Sequence, residues 1–339
     1  MCGGGAWPEP LICGSLAAEG RAMLCAVVDD LSMIADIKVE TTWDARLGPP
    51  PFRCVRAQLA ESHDDEQLLF QRLAYDCDAT LLIAPEFDGI LTQRCRAVED
   101  RGGRLLSPGS RAVEPCSDKL RLARHLREAG VRTIPTETIS PENESPSAAV
   151  VAASPFPIVI KPRDGAGSQN TFLIKDSEGL EQWRNAFAAA PRISEFIWQP
   201  YIAGTSVSVA MIFSESGSEV RILRVAEQLL SDDGRFSYRG GRVPACDVDR
   251  TSIQAAALAA CRSVPGLRGY VGVDLIVPAD GQSAPIVVEI NPRLTTSYLG
   301  YRALARDNLA EWMLPGRTNR PIEWRTGEVE FNAAGNMAE

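Results

Sequence analysis

The stretch from Gly269 to Arg293 constrains this chain more than any other. It runs Gly269-Tyr270-Val271-Gly272-Val273-Asp274-Leu275-Ile276-Val277, turns around Asp280-Gly281, and returns as Pro285-Ile286-Val287-Val288-Glu289-Ile290-Asn291-Pro292-Arg293. Two apolar runs around a short polar turn read as a β-hairpin. Alternation puts Val271, Val273, Leu275 and Val277 on one face, and Gly272, Asp274 and Ile276 on the other. Glu289 and Asn291 stand two apart and share a face, so pairing brings Asp274 beside them. Three hard oxygen donors on an apolar sheet suit one or two Mg²⁺ ions that also hold phosphates. A hydrogen-bonded polar cluster without metal is the alternative, and it carries the cost of adjacent buried carboxylates with no cation.

A second constellation, Lys161-Pro162-Arg163-Asp164-Gly165-Ala166-Gly167-Ser168, follows the apolar run Ile158–Ile160. Small residues let backbone N–H groups approach phosphate oxygens, and Lys161 at a strand end adds a compensating charge. A glycine-containing hairpin turn explains the run equally well, and it matches neither a P-loop nor a dinucleotide fingerprint. Together with the acidic hairpin and with Lys119, just inside a helix expected to begin at Ser117, it reads as a nucleotide site.

Around these segments the 339 residues divide more naturally into two or three domains than one, at roughly 150 residues per domain. From Leu11 to Pro108 helices (Glu19–Leu31, Asp64–Tyr75) alternate with strands (Ile37–Thr42, Ala79–Ala84), which predicts a largely parallel sheet. Ligands gather at the carboxyl ends of such strands, so Glu86 and Asp88 are substrate-site candidates, with a solvated loop as the competing reading. Ser107–Cys116 reads as a boundary, and Ser140–Pro157 as an exposed connection. Beyond it come strands at Ile158–Lys161, Thr171–Lys175, Glu195–Gln199, Val207–Phe213 and Val220–Leu230, with helices at Glu178–Ala189 and Thr251–Ser263. Tyr238-Arg239-Gly240-Gly241-Arg242-Val243-Pro244 reads as a mobile glycine-rich loop in which Arg242 touches substrate, or as an ordinary surface turn. From Thr326 the polar chain is expected to be loosely attached.

Composition narrows the function. With 35 basic and 44 acidic residues the net charge is −9, which lacks the footprint of a general nucleic-acid binder and points to a small-molecule substrate. No apolar run reaches the ~18 residues of a membrane-spanning helix, and no signal peptide is evident, so a cytoplasmic protein with no membrane partner is expected. The nine cysteines contain no C-x-x-C pair and read as small buried hydrophobes; the two histidines, His63 and His125, are too few for a histidine metal cluster.

At this point the residues resemble the ATP-grasp ligases. In that family a lysine in the first helix of the ATP domain, a lysine before a glycine-rich loop, a hinge strand and an Asp…Glu-x-Asn hairpin grip Mg-ATP between two lobes. The matching positions are Lys119, Lys161, the loop Asp164-Gly165-Ala166-Gly167-Ser168, the hinge Ile197 to Ile202, and Asp274, Glu289 and Asn291. The resemblance implies α/β and α+β architecture: a Rossmann-like pre-ATP-grasp domain (1–115), then a two-lobed ATP-grasp fold with a small lobe (116–198) and a large lobe (199–339). It assigns Lys119, Lys161 and the loop to phosphates, Gln199, Pro200, Tyr201 and Ile202 to adenine, and Asp274, Glu289 and Asn291 to Mg²⁺, with Mn²⁺ as a substitute. Ser206 stands where the family usually has the glutamate that holds ribose. Arg293 is expected at the transferred phosphoryl group or the acid substrate. Thr295, Thr296 and Ser297 either contact substrate or cap the next helix.

A narrower resemblance, to tyramine-glutamate ligases, rests on Gly3-Gly4-Gly5-Ala6-Trp7-Pro8, Glu19-Gly20-Arg21-Ala22-Met23-Leu24, Ala84-Pro85-Glu86-Phe87-Asp88-Gly89-Ile90-Leu91, Cys116-Ser117-Asp118-Lys119 and Glu289-Ile290-Asn291-Pro292-Arg293-Leu294-Thr295-Thr296-Ser297-Tyr298. Those proteins usually carry a further strand before the triple glycine, so the expectation is either a misassigned start site or an N-terminal sheet without its first strand. The resemblance implies an ADP-forming carboxylate-amine ligase that works through an acyl phosphate, joining L-glutamate to tyramine or a similar amine for methylofuran-type cofactors, and it is compatible with a homodimer. A ligase of other substrates, such as a peptide or polyglutamate, and an ATP-binding kinase or sensor module are the competing readings.

Overall fold

The computed structural model describes residues 15–52, 55–139, 156–187, 195–317 and 320–338. The Gly3–Pro8 run and nearly all of the Ser140–Pro157 connection lie outside them. Helix α1 (Ser15–Ser32) directs Met23, Ala26, Val27 and Leu31, a three-to-four-residue spacing, into the main core. Strand β1 (Glu40–Asp44) begins later than the expected Ile37–Thr42 and pairs in parallel with β2 (Arg56–Ala60), a strand not expected from the sequence, and helix α2 (His63–Asp76) starts at Ser62, whose side chain accepts from the Asp65 N–H.

The expected strand at Ala79–Ala84 is extended but makes only one parallel bridge, Thr80 to Leu105. Its side chains still alternate as in a buried strand: Leu82 and Ala84 enter a cluster with Leu91, Cys95 and Val98, while Leu81 and Ile83 pack on the main core. Burial on both faces gives the run its apolar character, without the backbone ladder that character usually accompanies. Helix α3 (Ile90–Glu99) follows. The predicted boundary is itself a helix, α4 (Ser110–Ser117), with Pro115 inside it. Helix α5 (Lys119–Glu128) is capped not by Ser117 but by Asp118, which accepts from the Arg121 N–H; the Ser117 hydroxyl donates back to the Val113 carbonyl.

Two antiparallel sheets form the rest. The first has the order β3-β6-β4-β5, from β3 (Glu137–Ile139), β4 (Ile158–Pro162), β5 (Phe172–Ile174) and β6 (Phe196–Pro200), covered by α6 (Ser177–Phe187). Ile158, Ile160, Leu180, Trp183 and Phe196 fill the space between. The second has the order β11-β10-β7-β8-β9-β12, from β7 (Gly204–Phe213), β8 (Val220–Leu230), β9 (Tyr238–Val243), β10 (Gly269–Pro278), β11 (Ile286–Asn291) and β12 (Val329–Asn332). Helix α7 (Arg250–Ser263) packs on one face against Val271, Val273 and Leu275, and the short α8 (Tyr298–Leu304) lies with α1 on the other.

Two expectations are corrected here. The glycine-rich run 238–243 is strand β9, not a loop, and the polar tail supplies β12, which pairs with it. The glycines explain both: a Cβ on Gly240 would sit 1.9 Å from the Phe331 carbonyl oxygen, so only glycine admits the last strand at this approach. Phe331 is 1% exposed and anchors β12. Among the six described cysteines, Cys95, Cys116 and Cys261 are buried as expected, whereas Cys25, Cys77 and Cys246 are only half-buried. No helix among the described residues is long and apolar enough to cross a membrane. Phe331→Ala is expected to cost about 3–5 kcal/mol of stability, read as a lowered denaturant midpoint; an unchanged midpoint would mean that the tail is not part of the core.

Candidate functional site

The two sheets face each other across a cavity of about 730 Å³. Period-two alternation builds one wall: Ile158 and Ile160 of β4 point into the core with no exposure, which leaves Val159 and Lys161 facing the cavity. Lys119, the first residue of α5, reaches the same space and donates from Nζ to the Gly165 carbonyl at 2.8 Å. Arg163 clasps Asp118 with two hydrogen bonds (2.6 and 2.9 Å) and also contacts Glu195, so the start of α5 is fixed against the end of β4. Burial, together with the neighbouring Lys119 charge, pulls Lys161 down to about 8, although Glu289 and Asp274 oppose the shift.

The opposite wall is the acidic hairpin. β10 and β11 pair with Asp274 opposite Glu289 and Gly272 opposite Asn291, and a bulge follows at Val288. Asp274 accepts from Asn291 Nδ2 at 2.9 Å and from Gln228 Nε2 at 3.0 Å. Burial first, and then the Glu289 charge, push Asp274 upward. Burial would raise Glu289 too, but Lys119 and Lys161 across the cavity hold it below its ordinary value. No group of three His, Cys, Asp or Glu side chains able to hold a metal ion occurs among the described residues. The hairpin instead offers two mutually repelling carboxylates and an amide. That donor set fits Mg²⁺, which takes one or two carboxylates and completes its shell with phosphate oxygens and water.

At the far end of β11, Arg293 donates from Nε and Nη2 to Glu86 at 2.7 and 3.0 Å, and from Nη1 to the Leu294 carbonyl. The chain then crosses over β10. A Cβ on Gly272 would meet Thr295 Cγ2 at 2.4 Å, so glycine at this position admits the crossing. Thr295 shares a hydrogen bond with the Tyr270 hydroxyl, and Thr296 donates to Glu19. Ser297 precedes α8 without capping it through its side chain.

The cavity thus brings together Lys119, Lys161, Gly165, Ala166, Gly167, Ser168, Gln199, Pro200, Tyr201, Ile202, Ser206, Asp274, Glu289, Asn291, Arg293, Thr295, Thr296 and Ser297. Four expected residues, Glu86, Asp88, Asp164 and Arg242, are not among its walls. Asp164 turns away to accept from the Asp88 N–H, and Glu86 stands behind Arg293 as its ion partner. Arg242 points from β9 to Glu330 and Glu227, an arrangement set by its place in a strand rather than a loop. Sequence reasoning missed Glu19, Gln228 and Tyr238, which also line the cavity. Gln228 near the polar end of an apolar strand was a readable signal; the other two depend on tertiary packing. A second cavity of about 480 Å³, around Phe213, Arg268 and Trp312, contains none of the hairpin's acids.

The family model for the ATP-grasp domain matches residues 116–297, and that for the pre ATP-grasp 3 domain matches residues 37–113. The tyramine–L-glutamate ligase of Methanocaldococcus fervens is 26% identical over 254 residues, spanning 75% of this chain and 71% of that protein. A D-alanine–D-alanine ligase of Francisella philomiragia is 25% identical over 158 residues, 45% of this chain and 51% of that one. The crystal structure of an ATP-grasp superfamily protein from Archaeoglobus fulgidus shares the fold, with a TM-score of 0.66 at 24% identity over 97% of this chain and 88% of that chain. Lysines facing paired acids between two sheets, in a chain with these relatives, define an ATP-dependent carboxylate-amine ligase. The chain belongs to the ATP-grasp family.

The state of Lys161 gives this site a pH signature. Its proton is present below about 8 and lost above, so the positive charge that faces the cavity weakens as pH rises. Mg-ATP affinity is expected to fall between about pH 7 and about pH 9 and to stay flatter in Lys161→Arg, which keeps its charge. Calorimetry across that range checks this, and a flat wild-type profile would contradict it.

Proposed function

We propose that this ligase joins L-glutamate to tyramine or a tyrosine-like amine, in the synthesis of a methylofuran-type one-carbon carrier. The observation that carries the chemistry is the opposition of Lys119 and Lys161 to Asp274 and Glu289 across one cavity. The substrate reading rests on the 26% identity to a tyramine–L-glutamate ligase over 75% of the chain. It is supported by the position of the similar segments: Cys116–Lys119 and Glu289–Tyr298 border the cavity, and Glu86 braces Arg293.

In this reading a carboxylate oxygen of the acid attacks the γ-phosphorus of ATP, the bond to ADP breaks, and an acyl phosphate forms. The amine nitrogen then attacks the acyl carbon, the C–O bond to phosphate breaks, and the amide, phosphate and a proton are released. Such transfers require positioning and charge neutralisation more than covalent protein chemistry. Lys119, Lys161 and the backbone of Gly165 to Ser168 hold phosphates. Gln199, Pro200, Tyr201 and Ile202 border the adenine, and Ser206 faces the ribose. Arg293 keeps one N–H on each terminal nitrogen beyond its bonds to Glu86 and Leu294, and these orient the transferred phosphoryl group or the acid. Asp274, Glu289 and Asn291 would hold Mg²⁺, which supplies neutralising charge to the phosphates. Residues 1–115, 116–198 and 199–339 serve as the N-terminal domain, the small lobe and the large lobe, with the boundaries moved to the ends of α4 (Ser117) and β6 (Pro200), which the expected bounds cut.

The test is ADP release from Mg-ATP with L-glutamate alone, then with tyramine and other aromatic amines, the products being weighed by mass spectrometry. Amine-dependent ADP with a glutamyl amide supports the reading; ATP binding with no turnover on any pair favours a kinase or sensor. Glu289→Gln, which keeps shape but removes charge, is expected to lower turnover by more than about a hundredfold with an unchanged circular dichroism spectrum. Wild-type turnover in that variant would remove Glu289 from the metal site. Lys161→Ala is expected to weaken ATP binding more than amine binding, and unchanged ATP affinity would contradict the role of Lys161.

A further inference from the structure

Glu19 comes from α1, far in sequence from every other cavity residue, yet it lines the cavity and is only 8% exposed. Its Oε2 accepts from the Thr296 hydroxyl at 3.0 Å, whereas its Oε1 is buried and has no hydrogen-bond partner. A buried acceptor without a donor is costly, and one held beside a substrate cavity has a donor to gain from the ligand. Arg293, the cation acting on Glu19, is already bonded to Glu86 and to the Leu294 carbonyl. Three carboxylates, Glu86, Glu19 and Glu289, therefore act on this one guanidinium. Lys119 and Lys161 also act on Glu289, whereas Arg293 is the cation that opposes the upward shift of Glu19. Gly167, at the turn of the glycine-rich loop, lies over the orphaned oxygen: a Cβ there would be 4.0 Å from Oε1. Burial pushes the Glu19 carboxyl upward, with Thr296 and Arg293 opposing, as expected of an acid that lacks a full set of partners.

We propose that Glu19 receives a primary ammonium group of a substrate, pairing it at Oε1 beside Thr296, and so selects the nitrogen-bearing substrate. The missing charge and the missing donor are both supplied by R–NH₃⁺, and by neither a carboxylate nor a neutral alcohol. The ammonium has two possible sources in a carboxylate-amine ligation: the nucleophilic amine before it loses its proton, or the α-ammonium of an amino-acid substrate. The inference rests on the ligase reading of this cavity, but not on the names of the two substrates.

The test is calorimetric binding to the full chain saturated with Mg-ADP, using two pairs that differ only in the ammonium, L-glutamate against glutarate and tyramine against 4-ethylphenol, and methylammonium against sodium, a cation of equal charge without an N–H donor. In the wild type at least one ammonium-bearing ligand is expected to bind about tenfold or more tightly than its twin. In Glu19→Gln that preference is expected to vanish with Mg-ADP affinity unchanged, and Glu19→Asp to keep part of it. Loss confined to the glutamate pair identifies the α-ammonium; loss confined to the tyramine pair identifies the nucleophile. A preference that survives in Glu19→Gln, or no preference in the wild type with any pair, overturns the proposal. If Glu19→Gln does not fold, the wild type and Glu19→Asp carry the same comparison. Methylammonium binding that depends on Glu19, without turnover of glutamate and tyramine, would discard those two names and leave the ammonium site standing.

Discussion

The register between β10 and β11 is the constraint from which the rest of the site follows. Side chains alternate across a strand, so a slip of one residue would send Asp274 into the apolar layer under α7 and bring Val273 to the cavity. The layer of Val271, Val273, Leu275 and Val287 against Ile253 and Ala257 forbids that slip. Packing on one face thereby fixes two carboxylates side by side on the other. Their repulsion is then a property of the fold, and the facing lysines relieve it, as a cation bound there would.

That relief ties the two sheets together. Lys161 is carried by β4 and Lys119 by α5, and both act on Glu289 across the gap. The Asp118–Arg163 pair keeps the two lysines at the same end of the first sheet. On the other side, the Glu86–Arg293 pair joins the N-terminal part of the chain to the end of β11, with side-chain exposures of 7% and 13%. Removing one partner of so buried a pair leaves an uncompensated charge, which is why the pair works as a clamp more than as a source of net stability. The Arg293 end of the cavity thus depends on chain segments some 200 positions apart, Glu86 and Arg293 being 207 residues from each other.

Much of this was legible in the sequence, for a definite reason. The period of β10 and of β4 gives the faces of Asp274 and Lys161, and the spacing of two gives Glu289 and Asn291 a common face, but the bulge at Val288 that turns Val287 into the apolar layer does not follow from the period. Lys119 follows from its place at a helix start. What could not be read were features created by distant packing. The Gly240-Gly241 pair looks like loop sequence, yet it is strand because Phe331 and β12 press against it. The run from Ala79 to Ala84 has the burial of a strand but not its hydrogen bonds, and burial is all that hydropathy reports. Arg242 and Asp164 were misplaced because an arginine in a glycine run and an acid in a phosphate loop carry no mark of their actual partners, Glu330 and the Asp88 backbone. Glu19 sits on a helix whose periodicity announces only its apolar face.

The central claim is that the hairpin's acids hold the cation of a nucleotide bound between the two sheets. The most direct measurement is a crystal structure with ADP and Mn²⁺, the metal being located by its anomalous signal. The account predicts a peak beside Asp274, Glu289 and Asn291, with the nucleotide phosphates running from it toward Lys119 and Lys161. A nucleotide elsewhere, or an ordered nucleotide in this cavity with no metal at the hairpin, would contradict it.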